Sequence, residues 1–253
     1  MKENMYKIAT VLADRTRYSI YDFVCSTHDG ISVQDVAQEF SIHANVARLH
    51  LGKLEDSGLI QSLFDKKEKK GGRPNKLYRI SNETISFHFP YRDFSLLTTL
   101  AMKTLSSLGP YAWKAFIAQN YQHGRDHGLH ARNRQNITVD SSTDQIIAGI
   151  KITLSELGLN PVIELNEEGY IIFNIRNCTF KDSIDIFPEI LCKAHQKLLQ
   201  GLFESYFEHL RFEPVKTLQD FNNCSFCHYR IQLVPSDSDT NIPNDDPEAD
   251  YHI

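Results

Sequence analysis

The chain changes its hydrophobic period at Gly58, and this constrains the fold of the first 80 residues more than any other feature. Ahead of Gly58, Ser41 is a good helix N-cap. Residues from about His43 to Ser57 then carry apolar side chains at helical spacing, with Val46, Leu49 and Leu54 as the apparent anchors. Gly58 stops this helix as a C′ glycine. Behind it, Leu59–Phe64 reads as a strand, Lys66–Pro74 as a polar loop and Asn75–Ile80 as the returning strand. Upstream, Ser32 with Asp35 three residues later predicts a capped short helix over Val33–Glu39. Apolar positions Met5, Ile8, Leu12, Ile20, Phe23 and Val24 predict a first helix over residues 5–26, closed by the turn Thr27-His28-Asp29-Gly30.

Helix, helix, helix, hairpin is the order of a winged helix-turn-helix domain. In such a domain the second helix of the pair enters the major groove, and its first residues reach the base edges. That helix carries His43, Asn45, Arg48, His50 and Lys53. Asn and Arg are the side chains that read adenine and guanine bidentately, whereas a Lys mostly contacts phosphate. The loop Gly71-Gly72-Arg73-Pro74 is the expected wing tip, with Arg73 placed to enter a minor groove and the lysines at 66, 67, 69 and 70 suited to phosphates. Charge agrees. Residues 1–80 hold 13 Lys and Arg against 10 Asp and Glu, while the rest of the chain holds 14 against 22. A mildly basic head on an acidic body suits contact with double-stranded operator DNA through the head.

Downstream, residues 85–90 read as a linker. Helical patterns follow over 91–108, 111–127 and 144–157, with residues 128–142 as a polar loop. Pro161–Leu165 and Tyr170–Arg176 form a hairpin around Asn166-Glu167-Glu168-Gly169. Residues 185–209 are mostly helical with Pro188 in the first turn, Cys227–Val234 alternates as a half-buried strand, and the acidic tail 236–253 is expected to be disordered. The expected class is therefore α+β: a winged helix-turn-helix over residues 1–84, an α+β sensor and dimerisation domain over 85–235, and the tail. No apolar run approaches the ~20 residues of a bilayer span, and the polar N-terminus lacks a signal-peptide core, so a cytoplasmic protein without a membrane partner is expected.

Four of the five cysteines crowd into one fifth of the chain: Cys178, Cys192, Cys224 and Cys227. In a reducing compartment, clustered cysteines act as metal ligands or redox groups more often than as disulfides. The four fall on a strand end, a helix and a Cys-x2-Cys turn, and His195 follows Cys192 by one helical turn. Zinc and an iron–sulfur cluster both accept such ligands. Cys25 reads instead as a packing residue of its helix. The chain shows no phosphate-binding glycine loop, no nucleophile elbow and no zinc-hydrolase helix motif, so an enzyme is not expected.

Residues 15–80 resemble the bacterial ArsR- and DeoR-like winged-helix regulators through Arg15-Thr16-Arg17, the run Ile42–Leu51, Leu54–Ile60 and Gly72–Tyr78. Residues 90–234 resemble the C-terminal half of SufR-type regulators, repressors of iron–sulfur cluster assembly genes, through Leu157–Pro161, Asn177–Phe180, Pro188–His195, Leu199–Leu202 and Cys227–Ile231. That resemblance implies a homodimer that binds operator DNA under control of a 4Fe–4S cluster. Cys178, Cys192 and Cys227 match best as ligands, with Cys224 or His195 as the fourth. The family spaces its cysteines more evenly than this chain does. A structural zinc site in a regulator that senses a small organic ligand is the alternative.

Overall fold

The computed structural model describes residues 2–27, 30–64, 76–81, 85, 90–138, 140–167, 169–175, 177–184, 186–207, 209–217 and 227–234. The expected wing tip with Arg73, the Cys224 half of the Cys-x2-Cys turn and the acidic tail lie outside these residues. The chain divides into two compact units, Met1–Arg92 and Asp93–Ile253.

The first unit contains α1 (Lys2–Leu12), α2 (Arg15–Ser26), β1 (Ile31–Ser32), α3 (Val33–Glu39), α4 (Ala44–Asp56), β2 (Ile60–Phe64) and β3 (Lys76–Ile80). The pattern over residues 5–26 is thus two helices, not one. Asp14 caps α2 by accepting a hydrogen bond from the Arg17 N–H at 2.8 Å. Arg17 is buried and donates through Nε to the Val11 carbonyl at 2.6 Å. The guanidinium satisfies a carbonyl that the broken helix leaves open and so fixes the corner between α1 and α2. The capping box of α3 forms as Ser32 and Asp35 predict. The strands make an antiparallel sheet in the order β1-β3-β2, with Ile31 opposite Tyr78 and Ser62 opposite the same residue. Ile20, Val24, Val36, Leu51 and Leu54 fill the core beneath it.

The second unit contains α5 (Phe94–Ser107), α6 (Pro110–Arg134), α7 (Thr143–Glu156), β4 (Pro161–Leu165), β5 (Tyr170–Ile175), α8 (Lys181–Ile184), α9 (Pro188–Tyr206), β6 (Leu210–Lys216) and β7 (Cys227–Leu233). Its sheet is antiparallel in the order β4-β5-β7-β6. Ile171, Phe173 and Ile175 of β5 alternate inward with Cys227, Tyr229 and Ile231 of β7. They pack with Ile150 and Leu154 of α7 and Leu199, Leu202 and Phe203 of α9. One face of the sheet thus carries the core.

In the second unit two further departures from the sequence reading stand out. Residues 128–134, expected in a loop, continue α6. From residue 124 onward the buried positions of α6 are Gly124, Gly128 and Ala131, so the inward face there lacks the large apolar side chains that mark an amphipathic helix. Small residues are needed because α6 and α9 approach closely. A Cβ on Gly124 would stand 1.9 Å from the Leu198 carbonyl oxygen, and one on Gly201 would stand 2.2 Å from that of Tyr121. The second departure is β6, which the sequence reading left without structure. Its Pro214 sits at a register shift on an edge strand, one of the few places where a sheet tolerates proline.

Gly124→Ala and Gly201→Ala should each lower stability by about 1–3 kcal/mol, as overpacking does. Urea unfolding followed through the second unit should show the lower midpoint, and a parental midpoint would refute backbone-limited packing.

Candidate nucleic-acid interface and thiol cluster

Both ends of α4 are fixed by local chemistry. At its start, His43 is the N-cap, with Nδ1 accepting from the Asn45 N–H at 3.2 Å. At its end, Gly58 takes φ +79°, and the Leu59 N–H returns to the Leu54 carbonyl. Glu55 accepts from Lys76 at 2.7 Å and from the Ser62 hydroxyl, tying the helix to both strands of the hairpin. Burial raises the Glu55 carboxyl, but the hydrogen bonds from Lys76 and Ser62 outweigh it, and its pKa falls below the usual value.

The buried stripe of α4 is Ala47, Leu51 and Leu54. Val46 and Leu49 do not anchor the helix, contrary to what their apolar character suggests. They are 42% and 57% exposed. Ala47 takes the inward place beside Leu51 and turns the helix so that Asn45, Arg48 and Lys53 are exposed with them. These residues, with Leu49, Gly52 and Asp56, line a shallow groove. Arg48 donates through Nη1 to the Asn45 side-chain oxygen at 2.7 Å. The two expected base readers therefore hold each other, and contact with a base edge must replace or share that bond.

His50 stands apart from the others. It is half-buried, and burial lowers its pKa, with Asp14 opposing and Arg17 and Lys53 adding to the effect. Its Nδ1 is buried without a hydrogen-bond partner among the described residues. His50 thus sits toward the start of α2, on the flank of the outward face, and is mainly neutral at pH 7.

The second expected site lies at one end of the larger sheet. Pairing of β5 with β7 sets Ile175 opposite Cys227. Cys178 follows three residues after β5 and is buried. Cys192 and His195 come from consecutive turns of α9, the first half-buried and the second buried. Cys178 Sγ lies 3.5 Å from His195 Nδ1, and the Phe180 ring lies 4.9 Å from the imidazole, centre to centre.

Burial pushes the Cys178 thiol up to about 12, and the neighbouring Cys227 and Cys192 thiols add to this against a hydrogen bond from the Phe180 backbone. Burial likewise lowers His195 to about 4. The pair is therefore a neutral thiol beside a neutral imidazole. A nucleophilic cysteine needs the opposite shift. The Tyr229 phenol is raised by burial and by its neighbour Cys227, with which it shares a hydrogen bond. Cys25 is half-buried in α2, and its thiol is raised chiefly by burial, against a hydrogen bond with Tyr21.

The fold thus brings Cys178, Cys192, Cys227 and His195 to one end of the sheet. Cys178 and His195 are in contact, and Cys192 and Cys227 are close enough to act on Cys178 through charge. Among the described residues, no three His, Cys, Asp or Glu side chains stand close enough to hold a metal ion. Also among these residues, no helix is long and apolar enough to cross a membrane.

Residues 12–62 match a family model described as a helix-turn-helix domain, a span that runs from the end of α1 into β2. Among curated proteins, none matches the chain. The matched helix-turn-helix span supports a DNA-binding transcriptional regulator. The same span fits a winged-helix regulator of the ArsR type, followed by a mixed helix-and-sheet region.

Two substitutions on α4 separate reading from positioning. Arg48→Ala should cost about 1–3 kcal/mol on the preferred duplex and relax specificity at one position. Lys53→Ala should weaken all duplexes alike and reduce the slope of log affinity against log salt by about one. Binding isotherms at several salt concentrations give both numbers, and equal effects from both variants would refute the assignment.

Proposed function

We propose that this chain is a homodimeric regulator whose affinity for operator DNA depends on a 4Fe–4S cluster. Cys178, Cys192 and Cys227 would hold it, with Cys224 or His195 completing the set. The observation that supports this reading is that Cys178 just after β5, Cys192 of α9 and Cys227 of β7, distant in sequence, come near one another at one end of one sheet.

The donor chemistry fits. Thiols are the ligands that iron–sulfur clusters take, and they come here from separate elements. Among the described residues no three of these donors stand close enough for one metal ion, so ligation requires their side chains to move closer together. Burial keeps the Cys178 thiol protonated, and ligation requires the thiolate, so binding releases protons. When bound, such a group supplies bonds among three segments that last only while iron and sulfide are present. Phe180 packs on His195 and sits beside the cluster of Met102, Trp113 and Leu191, which joins this end of the sheet to α5 and α6. Any shift of the Cys178 segment therefore reaches α5 through packed side chains.

α5 supports the dimer. Phe94, Leu96, Leu97, Leu100 and Leu108 are each more than half exposed on or just after this helix, and Lys103 is the helix's one charged residue. Contiguous exposed apolar surface of this kind marks an interaction site. A homodimer would carry two α4 helices, and half-sites about one helical turn apart, ~34 Å, would make binding sensitive to their spacing. A coupling of only ~1–3 kcal/mol then changes operator affinity by ~5–150-fold.

The test starts with anaerobically purified full-length protein. Iron and acid-labile sulfide in near-equal amounts, a brown colour and a dimer in sedimentation are expected. Cys178→Ser, Cys192→Ser and Cys227→Ser should each lose the colour and shift operator affinity by a common factor. A colourless protein with stoichiometric zinc supports the structural-metal alternative instead. Parental operator affinity in all three variants would overturn cluster control.

A further inference from the structure

The outward face of α4 has a second, apolar component that the polar readers do not account for. We infer that Leu49 reads the 5-methyl group of thymine in the major groove, and that Gly52 lets the helix backbone come close enough for it to do so. The inference rests on the DNA-binding assignment of this helix and adds a specificity determinant to it.

Leu49 lies opposite the stripe that holds α4 to its own domain. At 100° per residue, Ala47, Leu51 and Leu54 point one way, and Leu49 and Asp56 point the other. Leu49 is 57% exposed, and its groove neighbours are Asn45, Arg48 and Lys53, with Val46 beside them at 42%. Single exposed leucines on a surface need no explanation. A leucine at the centre of a face whose other members suit base edges and phosphates does. The major groove offers one apolar group, the thymine methyl.

Gly52 is the independent observation. It sits one turn after Leu49 in the interior of α4, where glycine is unfavourable by about 1 kcal/mol relative to alanine. Among the described residues nothing requires it: a Cβ built there meets no described atom within 4 Å, and its φ is not among the positive ones. The missing side chain leaves room on the outside of the helix, beside Leu49. A surface that approaches closely from outside is what uses that room, and for this helix the surface is the floor of the groove. Leu49 follows Arg48 directly and lies one turn after Asn45, so the thymine it touches belongs to the base pairs those two read or to their neighbours.

The experiment uses the full chain and duplexes enriched by it from a randomised library. Each thymine of the enriched site is replaced in turn by deoxyuracil, which differs only by the methyl. One or two positions should lose about fourfold in affinity for the parent, the worth of one buried methyl at ~0.8 kcal/mol. In Leu49→Ala that loss should disappear, while in Arg48→Ala it should persist. Gly52→Ala should bind at least tenfold more weakly yet unfold no earlier than the parent. Equal deoxyuracil effects in the parent and in Leu49→Ala would overturn the assignment of Leu49. Undiminished binding by Gly52→Ala would overturn close approach. Failure to enrich any duplex would instead overturn the DNA-binding assignment and this inference together.

Discussion

The register between β5 and β7 is the constraint on which the second half of the molecule depends. It sets Ile175 opposite Cys227 and Phe173 opposite Tyr229. Because side chains alternate between faces, a slip of one residue would move Cys227, Tyr229 and Ile231 to the other side of the sheet. The register is held because those same positions fill the core with α7 and α9. One packing requirement thus secures the hydrophobic interior and delivers Cys227 to the end of the sheet where Cys178 leaves β5. α9 lies under that end and brings Cys192 and His195. Chemistry and core are specified by the same alternation.

The first unit shows an analogous economy on a helix. Ala47, Leu51 and Leu54 bind α4 to its core, Glu55 ties it to the hairpin, and Asn45, Val46, Arg48, Leu49 and Lys53 are left exposed. Arg48 and Asn45 bond to each other, so each side chain is partly ordered by the other ahead of any contact with a ligand. Such pre-ordering reduces the entropy that binding must otherwise remove.

Much of this was legible in the residues. Ser32 with Asp35, Gly58 after α4, the hairpin around Gly169 and Pro188 at the start of α9 are local signals, and each depends on backbone chemistry that neighbours do not override. What was missed depended on tertiary context. The break at Asp14 is invisible in a hydrophobic pattern that continues through it. The last turns of α6 show small residues rather than large ones because α9 presses against them. β6 hides behind Pro214. Val46 and Leu49 passed for core because an apolar side chain on a helix ordinarily is, whereas here Ala47 takes the inward place and leaves both exposed. For the thiols, spacing named the candidates, but only the sheet register shows which segments meet.

The central claim is that the sulfurs of Cys178, Cys192 and Cys227 can close around one metal. Cobalt(II) titration of the reduced, metal-stripped full chain tests it directly, since thiolate–cobalt bonds give a charge-transfer band whose strength follows the number of sulfurs. The account predicts a band that saturates at one equivalent, weakens in Cys178→Ser, Cys192→Ser and Cys227→Ser, and is unchanged in Cys25→Ser. No band, or one of equal strength in the three variants, would contradict it.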